Sequence, residues 1–263
     1  MPDEAVLLDS IDSSWLEEQA SRNPILHAYA QWDLIHYPDR AHFVTLSRGG
    51  HPLGYLLIWM PPIGFPAAHW ISQCPDDELL LTALPPRPLT VVVPERVAKA
   101  ALAARGPATA RPLELMEHHG DAMLLQPTSI AVRRLSRADY REVNALLENG
   151  PKDFAESFRH MDLDSQMVWG AFEGPKLTSV ANASVTLPTA WILNNVFTGE
   201  PFRGKGYCKA VVTTATRAAL EAGASIGLYV YSDNIPAHRA YEKVGFRTIE
   251  QRQMIDATGP ASP

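Results

Sequence analysis

Apolar residues along this chain recur in two rhythms, every three to four positions in some stretches and in alternation or short unbroken runs in others, and these mark helices and strands in turn. Trp15, Leu16, Ile25, Leu26, Tyr29 and Leu34 keep helical spacing over 14–34, and Asn23-Pro24 divides the stretch into two helices, because proline lacks the amide an interior helical bond requires. Residues 42–46 and 54–60 read as strands joined by the turn Ser47-Arg48-Gly49-Gly50-His51-Pro52. The proline-dense segments 61–66 and 84–88 are predicted as ordered loops. A β-branched run at 89–93 leads into an alanine-rich helix over 95–104, stopped by Gly106-Pro107. Further strands are expected at 113–116 and 123–126, around His118-His119-Gly120-Asp121.

The second half has a cleaner pattern. A strand at 130–135 precedes a helix over 137–147, with Ser136 as its cap, Asp139 and Glu142 near its positive end, and Gly150-Pro151 behind it. Strands at 166–172 and 177–186 form a hairpin about Glu173-Gly174-Pro175, and a strand at 190–197 follows. Next come a glycine-rich turn, a helix over 207–222 closed by Gly223, a strand at 226–231, a helix over 235–244 and a last strand at 245–255. The order is β, α, β-β-β, α, β, α, β. Pro127-Thr128 opens this half, so the reading is two domains, 1–126 and 127–263.

Composition changes this picture little. With 46% hydrophobic and 20% charged residues the chain has enough apolar side chains for sizeable cores, and a formal charge of -6 gives no general attraction to nucleic acid or an anionic membrane. Any anionic ligand must then be held locally. An acidic start and the lack of an apolar run approaching ~20 residues predict a cytoplasmic protein. Cys74 and Cys208, without a CxxC pair or a histidine cluster, support neither a disulfide framework nor structural zinc, so no metal is expected. Asn182-Ala183-Ser184 spells a glycosylation acceptor, but inside a predicted strand.

The chemistry concentrates where the strand at 190–197 meets the next helix. Gly204 and Gly206 let the main chain approach a ligand just where unpaired N–H groups and the positive end of a helix converge, and Arg203, Lys205 and Lys209 add charge. That combination suits phosphate. A P-loop would need G-x-x-x-x-G-K-[ST], and a Rossmann fingerprint a third glycine early in a longer series; neither fits.

The neighbouring residues resemble a known family. Val196-Phe197-Thr198, the loop Pro201-Phe202-Arg203-Gly204-Lys205-Gly206-Tyr207-Cys208, and the segment from Asn234 through Ala237 and Tyr241 to Gly245-Phe246 are similar, in sequence and spacing, to the motifs of the GNAT superfamily of acyl-CoA N-acyltransferases. The loop looks like R-x-x-G-x-[GA], with Cys208 in place of the usual small residue, and the segment looks like N-x-x-A-x-x-x-Y-x-x-x-G-F. The resemblance covers 128–255 and is nearest to the glycine N-acyltransferase-like branch, whose members often carry a degenerate GNAT-like N-terminal half. It implies a mixed α/β (α+β) fold with a mostly antiparallel central sheet flanked by helices. It implies acetyl-CoA or another acyl-CoA as co-substrate, and a small-molecule or peptide amine as acceptor. Coenzyme A would be held by Val196, Phe197, Thr198, Arg203, Gly204, Lys205, Gly206, Tyr207, Cys208, Lys209 and Asn234, with main-chain groups of Val196 and Thr198 left open by a splayed strand.

Tyr241 is then the candidate acid for the departing thiolate, the alternative being that it only packs beneath the sheet. Cys208 reads as packing, since nothing in the sequence would activate it. The strand 191–197 contains no carboxylate to serve as base. Asn194 or Asn195 could orient water or substrate, or simply pair across the sheet; Glu173, His69 and His238 qualify as bases by type alone. The alternative function is a CoA-binding sensor without turnover.

Overall fold

A computed structural model describes residues 4–258, except 62–63, 76, 87, 107, 121–124, 126–127, 149 and 160. In chain order its elements are β1 (Ala5–Leu8), α1 (Ser13–Arg22), α2 (Pro24–His36), β2 (Ala41–Arg48), β3 (His51–Trp59), β4 (Ala67–Ser72), β5 (Thr90–Pro94), α3 (Ala98–Arg105) and β6 (Thr109–His118), followed by β7 (Ala131–Arg134), α4 (Tyr140–Leu147), α5 (Lys152–Arg159), β8 (Met167–Glu173), β9 (Lys176–Thr186), β10 (Ala190–Thr198), α6 (Tyr207–Glu221), β11 (Ser225–Tyr231), α7 (Ile235–Glu242) and β12 (Phe246–Asp256). Two compact units result. The first gathers residues up to Leu115, Tyr231–Asp233 and residues from Glu250 on; the second holds Met116–Val230 and Asn234–Ile249. The expected boundary near 126 thus falls earlier, and the end of β12 counts with the first unit because it pairs with β5, from Arg252↔Pro94 to Asp256↔Thr90.

In the first unit the strands run β1-β2-β3-β4-β5-β12, antiparallel except for β4 and β5. Asp12 caps α1 by accepting from the amides of Ser14 and Trp15, and Asn23 caps α2 by accepting from Leu26, with Pro24 in the first turn where its missing amide costs nothing. Asn23-Pro24 therefore splits the helices as the sequence predicts. The parallel pairing of β4 and β5 runs only from Ala67↔Thr90 to His69↔Val92. Beyond it, arginines take the strand carbonyls: Arg252 Nη1 donates to Trp70 O at 2.9 Å, and Arg96 Nη2 to Ser72 O and Cys74 O at 3.0 Å while pairing with Asp77.

Titratable groups lie inside this unit. Burial, and secondarily the Arg252 charge, hold His27 and His69 down at about 4, while burial raises Asp33 to about 7. His27 Nδ1 lies 2.9 Å from Tyr55 Oη. Between about pH 6.5 and 4 the unfolded chain binds protons on both histidines that the folded unit refuses, so their contribution to stability is lost as pH falls. Asp33 acts oppositely, because its folded form keeps a proton up to about pH 7 and the unfolded form releases it near 3.8. Two terms oppose one. Asp33→Asn is therefore expected to make the loss of stability between pH 6.5 and 4.5 roughly twice as steep as in the unaltered protein, as urea unfolding at stepped pH would show.

In the second unit β7 to β10 form an antiparallel meander, and β11 joins β10 in parallel. α6 brings Tyr207, Ala210, Val211, Ala215 and Ala219 onto β8, β9 and β10, its alanines allowing close approach, and Gly223 at φ 81 ends it in the left-handed conformation. On the opposite face α4 and α5 contribute Val143, Leu147 and Phe158 to a cluster with Val168, Val180 and Phe197. Truncating such a core residue to alanine costs about 2–5 kcal/mol. His118 fastens the end of β6, donating from Nε2 to Val244 O at 3.1 Å and accepting from Gly120 N–H.

Some expectations needed correction. The strand at 113–116 is part of the longer β6; of the strand expected at 123–126 only Leu125 lies within the described residues, outside any strand. β1, β4 and α5 were not foreseen. β1 has four residues, β4 lies between proline-rich loops, and Gly150-Pro151 begins a helix as well as following one, since Pro151 O accepts from Phe154 and Ala155. Among the described residues no helix is long and apolar enough to cross a membrane.

Candidate active site

The site is built on the end of β10. Its parallel register with β11 runs from Ala190↔Ser225 to Leu193↔Leu228, after which the two strands share no further pairs. On its other side the register with β9 shifts between Asn194↔Asn182 and Phe197↔Val180, three residues against two, which is a β-bulge. Asn195 supplies it, with φ 47, the one non-glycine residue at positive φ among those described. Past the bulge, Gly199 N–H bonds to Thr178 O on β9. By alternation the main chain of Val196 and Thr198 therefore turns toward the side that β11 has left. The Thr198 carbonyl, expected open, accepts from Arg203 Nε at 3.3 Å.

Beyond β10 a short 3-10 turn, Glu200–Phe202, buries Phe202 and leads into the glycine loop. Gly204 has φ 76 and Gly206 φ 90. A Cβ at Gly204 would meet nothing within 4 Å, so that glycine is required by backbone conformation, not by crowding. Gly206 is the N-cap of α6 and offers no side chain to the first-turn amides; that turn contains no acid. Arg203 and Lys205 are exposed and Lys209 is half-buried. Unsatisfied N–H groups, the helix dipole and three cations thus converge where an anion would be held.

Three side chains pack beneath the loop. Tyr207 is buried and its hydroxyl donates to Glu173 Oε1 at 2.7 Å, which ties the first turn of α6 to the end of β8. Glu173, a candidate base by type, is an anchor for Tyr207. Cys208 is held up at about 11 by burial, against a hydrogen bond to Thr198. Tyr241 on α7 is 6% exposed, packs against Phe246 and has its phenol raised by burial and by the nearby Cys208. It is therefore protonated at neutral pH. The Cys208 thiol of the folded protein is expected to resist iodoacetamide at pH 8 and to react only after unfolding, as mass spectrometry of the alkylated chain would show.

The other sequence candidates have separate places. Asn234 caps α7, accepting from Ala237 N–H at 3.3 Å, and is exposed. Phe197 points its ring into the cluster with Phe154 and Val180, leaving its main chain at the site. His69 lies in the first unit against Tyr29, and His238 is half-buried on α7. Asn194 Nδ2 donates to Ser184 Oγ at 2.8 Å. Beside the loop, a groove of about 380 Å³ is lined by Glu142, Leu146, Lys176, Phe197, Gly199 and Arg203. Among the described residues no group of three or more His, Cys, Asp or Glu is placed to hold a metal ion.

Comparison with known proteins agrees with this geometry. Residues 130–246 match the acetyltransferase (GNAT) family. No curated protein is a significant match in sequence. Among solved structures, a Drosophila protein aligns with a TM-score of 0.73 at 14% identity, covering 98% of this chain and 100% of its own. An acetyltransferase of the GNAT family from Colwellia psychrerythraea aligns at 0.56 and 13% identity, covering 95% and 99%. A tandem GNAT protein of the clavulanic acid biosynthesis pathway aligns at 0.57 and 14% identity, covering 98% and 99%. At these identities the structures establish the fold, and none singles out the glycine N-acyltransferase-like branch.

Proposed function

Since residues 130–246 form a domain of the acetyltransferase (GNAT) family, and the chain is accordingly an acyl-CoA-dependent N-acyltransferase, we propose that it moves an acetyl or other short acyl group to a primary amine of a small molecule or peptide by direct attack, with Tyr241 as the acid. The observation that carries this reading is the combination of a strand opened on one side after Leu193, an uncapped helix N-terminus preceded by two left-handed glycines, and a buried protonated tyrosine beside that helix.

Each residue then has a task. The amides around Gly204 to Cys208, with Arg203, Lys205 and Lys209, hold the coenzyme phosphates. Main-chain groups of Val196 face the opening, where they can pair with the pantetheine arm and polarise the thioester carbonyl. As the amine nitrogen forms its bond to the carbonyl carbon and the C–S bond breaks, Tyr241 passes its hydroxyl proton to sulfur. The proton lost from the amine leaves through water, and Tyr241 is reprotonated from solvent. The first unit reads as a degenerate half of the same plan, its comparable strand opening occupied by Arg252 and Arg96.

A reading as a CoA-binding sensor is favoured by one feature, the lack of a carboxylate on β10. Thiol release from acetyl-CoA across a panel of amino acids, polyamines, aminoglycosides and peptides separates the two. Amine-dependent release supports the enzyme, and tight acetyl-CoA binding without release from any amine supports the sensor.

A further inference from the structure

Asn182, read from the sequence only as a glycosylation acceptor, is 1% exposed, which removes it from modification in the folded chain. Its Oδ1 is enclosed and has no hydrogen-bond partner. Buried carbonyl oxygens are normally satisfied, and leaving one unmade costs stability. The position of this one is informative. Asn182 sits on β9 directly opposite Asn194 of β10, the last paired position before the bulge at Asn195. It also sits opposite Val168 of β8, so it shares the face that α4 and α5 cover. On that face Asn194 Nδ2 is committed to Ser184 Oγ at 2.8 Å. Cys208 and Tyr241 belong to the cluster on the α6 face. The acid and the unsatisfied carbonyl acceptor therefore lie on opposite faces of the sheet, near the position where β10 leaves β11.

We propose that the niche of Asn182, Asn194 and Ser184 receives the attacking amine, with Asn182 Oδ1 accepting one of its N–H bonds and so turning the nitrogen lone pair toward the thioester carbonyl. The inference rests on the acyl-transfer reading and adds a specificity residue to it. An amide oxygen binds an N–H donor without gaining a proton, so the niche orients the neutral amine and the proton still departs through water. It favours a primary amine, which has one N–H for Asn182 and a second to lose in the reaction.

The test compares Asn182→Leu, apolar and nearly equal in size, with Asn182→Asp, which keeps an acceptor oxygen. The probe is whichever amine of the panel turns over fastest. Asn182→Leu is expected to raise KM for that amine at least tenfold, leave the Kd for acetyl-CoA within twofold and leave Tm unchanged or higher; Asn182→Asp is expected to recover KM to within threefold. An unchanged amine KM in the leucine variant overturns the proposal. So does a lowered Tm, because an oxygen reserved for a ligand contributes nothing to the fold. If no amine turns over, the acyl-transfer reading fails, and the Tm comparison still decides whether Asn182 is structural.

Discussion

Replacement of Tyr241 by phenylalanine is expected to lower kcat by roughly 10²–10³-fold while leaving the Kd for acetyl-CoA within twofold. The substitution removes one oxygen from a residue that is 6% exposed and packed against Phe246, so the ring contacts persist and the fold should not change. The phenol is held in its protonated form by burial and by Cys208, so at neutral pH the proton is always present to be transferred. If Tyr241 only packed beneath the sheet, the variant would keep both turnover and affinity. A loss confined to kcat identifies the acid step; an equal loss in affinity would show instead that the cleft had been distorted.

Substitution of both Gly204 and Gly206 by alanine is expected to weaken acetyl-CoA binding roughly hundredfold, about 2.7 kcal/mol. At φ 76 and φ 90 a side chain is strained at either position by about 1 kcal/mol or more, whatever room surrounds it. The chain would relax by rotating toward ordinary dihedral angles, carrying the first-turn amides of α6 away from the phosphates. Calorimetric titration measures the loss directly, and circular dichroism should show α6 intact, since its burial against β8, β9 and β10 does not depend on the loop. Binding that survived the double substitution would place the phosphates elsewhere.

Much of the site was legible because its requirements are local. The glycines of the loop and the Asn234 to Phe246 segment each reflect a constraint felt within a few residues, and Leu193 of β10, Phe202 and Tyr207 beside the loop and Tyr241 of α7 share one core cluster. The left-handed Asn195 could not be foreseen, because a bulge depends on the register with β9 and the sequence fixes no register by itself. Asn182 was missed for a related reason: its partner across the sheet, and the absence of any bond to its Oδ1, are properties of the pairing of β9 and β10. Two of the bases named by type alone have structural partners instead: Glu173 accepts from Tyr207, and His69 packs against Tyr29 in the first unit. No local signal says that residues after Glu250 pair with β5, so their grouping with the first unit was not legible either.

The most direct test of the central claim is to incubate the purified chain with acetyl-CoA carrying a labelled acetyl group and the amine panel, and to follow free thiol and acetylated amine together by mass spectrometry. The account predicts label on the nitrogen of at least one primary amine, with one thiol released per product and both signals depending on Tyr241. Tight binding of acetyl-CoA with no labelled amine from any class would contradict it and leave a protein that binds the coenzyme without using it.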